Sequence, residues 1–182
     1  VEEVRVSAKI TSDVELNFET VTVDAEAKVL RNVVLCGSES KNGYKYPPQC
    51  FGSSQNVVEL YECKPVCIDH SPNDPGSRKI RDVAGFIQNV RFENGKPVGD
   101  IVIETAITCG VDLISLASKK RKGIGMSHVA HCKMSRDKKT VECVEQVLTV
   151  DVVVNPATTK TFFEQEKQED QMELEQLKAE HE

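Results

Sequence analysis

The stretch "TVECVEQVLTVDVVV", Thr140 to Val154, carries seven valines in fifteen residues. β-Branched side chains are stiff about their first torsion and pack well on a pleated surface, so the segment reads as a strand. One residue breaks its apolar second half. Asp151 stands among valines, where an unpaired carboxylate is costly to bury. Either Asp151 lies at a strand edge in water, or a partner such as a histidine relieves it.

Working outward, the turn residues "SRDKK" separate this strand from "IGMSHVAHCKM". Alternation there puts Gly125, Ser127 and Val129 on one face and Met126, His128 and Ala130 on the other. Ser127 and its neighbour His128 therefore point apart. His131 shares the face of Ser127 but stands four residues along, about 13 Å at the usual strand rise. A base for Ser127 has to come from elsewhere in the sequence. Gly123 and Gly125 mark either a bulge at a barrel corner or a close approach by another backbone, such as a peptide substrate.

The N-terminal segments "VRVSAKI", "VELNF", "TVTVDAEAKVL" and "RNVVLCG" alternate and predict three or four strands between Val4 and Leu35. "SESKNGYKYPP" is a loop. "SSQNVVELYE" predicts a helix over about Ser53 to Glu62, with a serine as N-cap and Val57, Leu60 and Tyr61 on one side. "PVCIDH" reads as a strand ending at His70, followed by a loop of turn-forming residues and a hairpin turning at "ENGKP". "VDLISLASKKRKG" predicts a helix with Val111, Ile114 and Ala117 sharing a face, Lys119 to Lys122 at the negative end of its dipole and Gly123 at its C-terminal cap.

Composition narrows the classes. Of 182 residues 39% are hydrophobic, only 5% are aromatic and Trp is absent, so the core is expected to be Val, Ile and Leu in one domain, residues 1–159. Residues 160–182 hold eight acidic and three basic side chains. That leaves −1 of the total charge of −6 for the body and disfavours a nucleic-acid-binding surface. The tail itself reads as an acidic helix, solvated or in need of a partner. No apolar run is long enough to span a bilayer, and no signal-peptide pattern opens the chain, so a soluble protein without membrane contact is expected. Seven cysteines, an odd number in no framework, point to a reducing cytosolic compartment.

His70 is the histidine left for Ser127: it ends a strand and enters a turn-rich loop, although a surface histidine capping that strand fits as well. Asp151 is the preferred carboxylate to orient it, with Asp69, Asp74 and Asp82 in reserve. A zinc module is the rival built from the same residues: Cys63, Cys67 and His70 in "CKPVCIDH", and His128, His131 and Cys132 in "HVAHC". Cys63 and Cys67 straddle a proline inside an expected strand, the second group is not arranged as a familiar knuckle, and no metal or cofactor is expected. The sequence has no G-x-x-x-x-G-K-[ST] phosphate loop, and "GMSHV" is not the G-x-S-x-G elbow of α/β-hydrolases.

The series "VLCGSESKNGYKYP", "VCIDHSPND", "VAGFIQNVRFENGKPVGDI", "GIGMSHVA" and "VDVVVNPATTKTFFE", spanning about Leu30 to Glu164, resembles the prohead maturation proteases of tailed bacteriophages. Those are similar in fold to the herpesvirus assemblins. The resemblance implies a mainly β fold, an antiparallel β-barrel with a few peripheral helices, with Ser127 as nucleophile and His70 as general base. For the third member, assemblins use a second histidine and the phage branch an acidic residue in or near the strand of Asp151. The resemblance further implies a serine endopeptidase without cofactor that acts in the host cytoplasm, within the assembling prohead. Its substrates would be capsid and scaffolding proteins and the protease itself, with the acidic tail as the start of a scaffold segment. Backbone N–H groups of "NPATT" are candidates for the oxyanion site, and activity is expected to fall as His70, of ordinary pKa about 6.5, becomes protonated. An inactive scaffolding protein that kept the protease fold is the remaining alternative.

Overall fold

The computed structural model describes residues 21–40, 43–74, 77–119 and 123–154, and residues 7–15 through their strand pairing. Among these lie eight strands and two α-helices. In chain order they are β1 (Ser7–Glu15), β2 (Thr22–Asp24), β3 (Val29–Val34), α1 (Ser54–Tyr61), β4 (Pro65–Ile68), β5 (Val83–Glu93), β6 (Lys96–Ile103), α2 (Thr108–Ser118), β7 (Ile124–Met134) and β8 (Val141–Val154). Three strands fall in the N-terminal segment, within the range its alternation predicts. The acidic tail and "NPATT" lie outside the described residues.

All eight strands join one sheet in the order β1-β7-β8-β4-β5-β6-β3-β2. Every neighbouring pair is antiparallel except β4 and β8, which run parallel. The antiparallel expectation holds for the rest of the sheet, but closure does not. A barrel requires its first and last strands to pair, whereas β1 and β2 are the two ends of this sheet and β2, only three residues long, pairs with β3.

The β5–β6 hairpin turns through Asn94 and Gly95 at φ of 50° and 75°, the primed geometry whose twist matches the strands it joins. A Cβ at Gly95 would come within 2.8 Å of the Pro48 ring, so the turn also needs the missing side chain. Register shifts interrupt β3 between Leu30 and Val33 and β5 between Gln88 and Arg91, and at each an asparagine, Asn32 or Asn89, takes a positive φ. Asp100 of β6 sits between the two bulges. Its carboxylate accepts the Asn32 N–H at 3.1 Å and the Asn89 side-chain amide at 3.1 Å, with Arg31 at 3.5 Å.

One face of the sheet gathers the core: Leu30 and Val33 of β3, Ile87 of β5, Ile101 of β6, Met126 and Ala130 of β7, and Val150 of β8 are all buried in it. α1 closes over that face with Val57, Leu60 and Tyr61, the three residues its pattern predicts, and Ser53 caps it by accepting the Asn56 N–H at 3.2 Å. α2 starts three residues earlier than its pattern predicts and buries Gly110, Leu113 and Ala117 instead of a Val111 stripe; Val111 is exposed. Gly110 explains the rotation. A Cβ there would lie 2.1 Å from the Glu104 carbonyl oxygen, so the helix docks through its glycine.

Candidate active site

β8 is the strand on which the site is organised, because β7 flanks it on one side and β4 on the other. The two registers place Ser127 and Cys67 directly opposite Asp151 from either side. Residues opposed across a ladder share a face, so Ser127, Asp151 and Cys67 form a row. Met126, Val150 and Val152 occupy the other face, within the core. The alternation read from the sequence thus holds: Ser127 and His128 point apart.

His70 reaches the row from the end of β4, which stops at Ile68, two residues earlier than the sequence predicts. The Asp69 N–H extends the parallel ladder by one bond, to the Val152 carbonyl oxygen at 2.8 Å. Asp69 then takes a φ of 54°, a left-handed conformation that aspartate tolerates better than most residues. This turn lifts the chain out of the strand and brings His70 Nδ1 to 2.7 Å from Asp151 Oδ2. His70 is about one third exposed and Asp151 is completely buried. The bond gives the carboxylate the partner its apolar setting demands and, with Nδ1 donating, leaves Nε2 as the acceptor.

The second carboxylate oxygen faces Arg78, whose guanidinium lies 3.0 Å from Asp151 Oδ1. The approach is an ion pair without hydrogen-bond alignment. The same nitrogen, Nη2, donates to the backbone, to the carbonyl of Ile68 at 3.3 Å and to that of Asp69, while Nε has no hydrogen-bond partner. Sequence reasoning missed Arg78. A charge argument could have found it, since a buried carboxylate beside a neutral imidazole still lacks a cation and the loop after His70 offers Arg78 and Arg81.

Ser127 itself is completely buried, and its Oγ has no hydrogen-bond partner. The serine and Asp151 are neighbours by register, and Asp151 and His70 by a hydrogen bond, but a bond from Ser127 to His70 is not made. Of the reserve carboxylates, Asp82 accepts the Lys79 N–H at 3.1 Å in a short 3-10 turn.

The zinc groupings come apart. Cys63 is exposed with a φ of 61°, while His128 and Cys132 turn into the core and His131 does not. Among the described residues no three His, Cys, Asp or Glu side chains are grouped as metal ligands. His128 is instead a core histidine. Its Nδ1 lies 2.7 Å from the Tyr61 hydroxyl, the Tyr46 ring stands edge-on to it at 5.3 Å, and burial pushes its pKa down to about 3. Burial likewise pushes the Cys67 thiol up, with Arg78 partly offsetting it, so Cys67 is kept as a neutral thiol beside the carboxylate.

No known protein family and no curated protein matches the sequence. Its fold does have a solved counterpart. The chain superposes on the bacteriophage T4 capsid assembly protease, gp21, with a TM-score of 0.58 and 10% sequence identity, over 82% of this chain and 99% of that one. At that identity the likeness concerns the fold. The superposition takes in nearly all of that solved chain.

Proposed function

We propose that this protein is a serine endopeptidase of phage capsid maturation, cleaving capsid and scaffolding proteins and itself within the prohead, in the host cytoplasm. The observation that carries the reading is the hydrogen bond from His70 to the buried Asp151, made on the sheet face that Ser127 shares. The likeness of fold to a capsid assembly protease supports the substrate class.

In this mechanism Ser127 Oγ bonds to the scissile carbonyl carbon as its proton passes to His70 Nε2. Asp151 keeps the Nδ1 proton in place and stabilises the imidazolium. Collapse of the tetrahedral intermediate breaks the C–N bond, and His70 returns the proton to the departing amine. Water, deprotonated by the same imidazole, then hydrolyses the ester and regenerates the serine. The fully buried hydroxyl means that productive binding has to uncover Ser127 and bring it to His70.

That same burial favours a second reading, an inactive scaffolding protein with a protease fold. The two are separated by expressing the chain and its Ser127→Ala variant, each alone and with a phage capsid scaffolding protein, and by treating both with a fluorophosphonate probe. Fragments and probe labelling in the first chain that vanish in the variant support the protease. Identical banding with no labelling in either supports the scaffold.

A further inference from the structure

We infer that Arg78 is a positioning residue that holds the His70–Asp151 pair in its neutral-imidazole, carboxylate state, so that His70 stays a competent base on the acidic side of neutrality. The inference rests on the protease reading for its purpose but not for its test. Three observations carry it. The guanidinium lies 3.0 Å from Asp151 Oδ1 while His70 takes Oδ2, so the two partners divide the carboxylate between them. It also bonds the carbonyls of Ile68 and Asp69, the last residue of β4 and the left-handed residue that aims His70. Finally, its side chain is 8% exposed, so water screens it little.

A carboxylate beside a histidine favours the imidazolium and raises the imidazole pKa. Arg78 opposes that in two ways. It neutralises much of the charge on Asp151, and it repels a proton arriving on His70. With Arg78 in place the group Arg78, Asp151 and His70 is neutral overall at rest, Arg⁺ balancing Asp⁻, and becomes cationic only during attack. Among the described residues, the other groups named around the pair do not supply this balance. β4 contributes the Cys67 thiol, which burial keeps neutral. β7 contributes the Ser127 hydroxyl in the row. The segment entering β5 contributes Asp82, whose carboxylate is held by the Lys79 N–H. The loop carboxylates Asp69 and Asp74 are exposed, and their negative charge would only add to that of Asp151.

The test follows the His70 imidazole by NMR across pH 5 to 9 in full-length protein carrying Ser127→Ala, which removes self-cleavage. The protein with Arg78 intact supplies the reference titration of His70. Arg78→Gln moves the titration upward by roughly one unit, and Arg78→Lys, which keeps the charge, moves it by less than half as much. A folded Arg78→Gln protein whose His70 does not shift, or equal shifts in both variants, refutes the role. If Arg78→Gln does not fold, Arg78→Met, which also removes the charge, takes its place beside Arg78→Lys. Failure of the Ser127 labelling experiment sinks the protease reading and leaves the titration result standing; an unshifted His70 in a chain that does cleave sinks only the role of Arg78.

Discussion

His128 predicts how the protein responds to acid. It is fully buried on the core face of β7, is hydrogen-bonded through Nδ1 to the Tyr61 hydroxyl and has an Nε2 without a partner, so protonation would place an uncompensated charge in the core. Burial sets its folded pKa at about 3, below the ordinary value of about 6.5. Between those values the unfolded chain binds a proton that the folded one does not. Stability from this residue is therefore fully present above about pH 6.5 and falls as the pH is lowered toward 3, by at most about 1.4 kcal/mol per unit. At pH 5 the loss is about 2 kcal/mol, a large share of a typical domain's stability. The perturbation is His128→Phe, which keeps the ring and removes the titration. It also strands the Tyr61 hydroxyl, so its absolute stability is expected to be lower. The comparison that counts is the change between pH 7.5 and pH 5, read from urea unfolding of Ser127→Ala proteins with and without the second substitution. A loss about 2 kcal/mol greater with His128 present is the expected result. Equal losses in the two proteins would show that the histidine either does not titrate on unfolding or is not buried as described.

Three other outcomes follow from the geometry. Asp100→Ala removes the acceptor that holds the Asn32 amide and the Asn89 side chain at two bulges, and unfolding in urea should show a loss of about 2–3 kcal/mol. Gly95→Ala puts a side chain at a φ of 75° and 2.8 Å from Pro48, and should lower stability by about 1–2 kcal/mol in thermal melts, whereas Asn94→Gly should be nearly neutral. Ser127→Ala removes a buried hydroxyl that has no partner, so the variant should be as stable as the parent or more so, by up to about 1 kcal/mol; a loss of that size would mean the hydroxyl is bonded in the folded protein.

Features with a short period were legible in the sequence. The alternation of β7 separates Ser127 from His128 because strand side chains switch face at every step, and the structure divides them as that rule requires. The Asn-Gly turn and the Ser53 cap were legible for the same reason, since each is decided within four residues. α2 was half legible. Its apolar spacing located the helix, but Thr108 to Gly110 carry no periodic signal, and the docking glycine turned a different stripe inward. What depends on distant strands was not legible. Sheet closure rests on whether β1 meets β2, which no local pattern encodes. The burial of Ser127 depends on whatever lies over its face, and Arg78 joins Asp151 across more than seventy positions of sequence.

β7 from Ile124 to Ala130 and β8 from Thr149 to Val153 are buried on both faces, a setting that ordinarily selects continuous apolar runs. On the core face that selection is visible in Met126, Ala130, Val147, Val150 and Val152. On the other face it fails at Ser127, Thr149 and Asp151, all but sealed from water, and the two hydroxyls have no hydrogen-bond partner. Each such group costs about 1–3 kcal/mol relative to an apolar residue of similar shape. A sheet serving only as scaffold would lose nothing by carrying valine or alanine at Ser127 and Thr149, and would gain stability. Polar residues that break the rule on a buried face beside a histidine, a carboxylate and a guanidinium are what a site for chemistry requires and what a packing surface avoids. The unpartnered hydroxyls on this face support the proposed protease site, whereas the burial of Ser127 taken alone fits the inert scaffold.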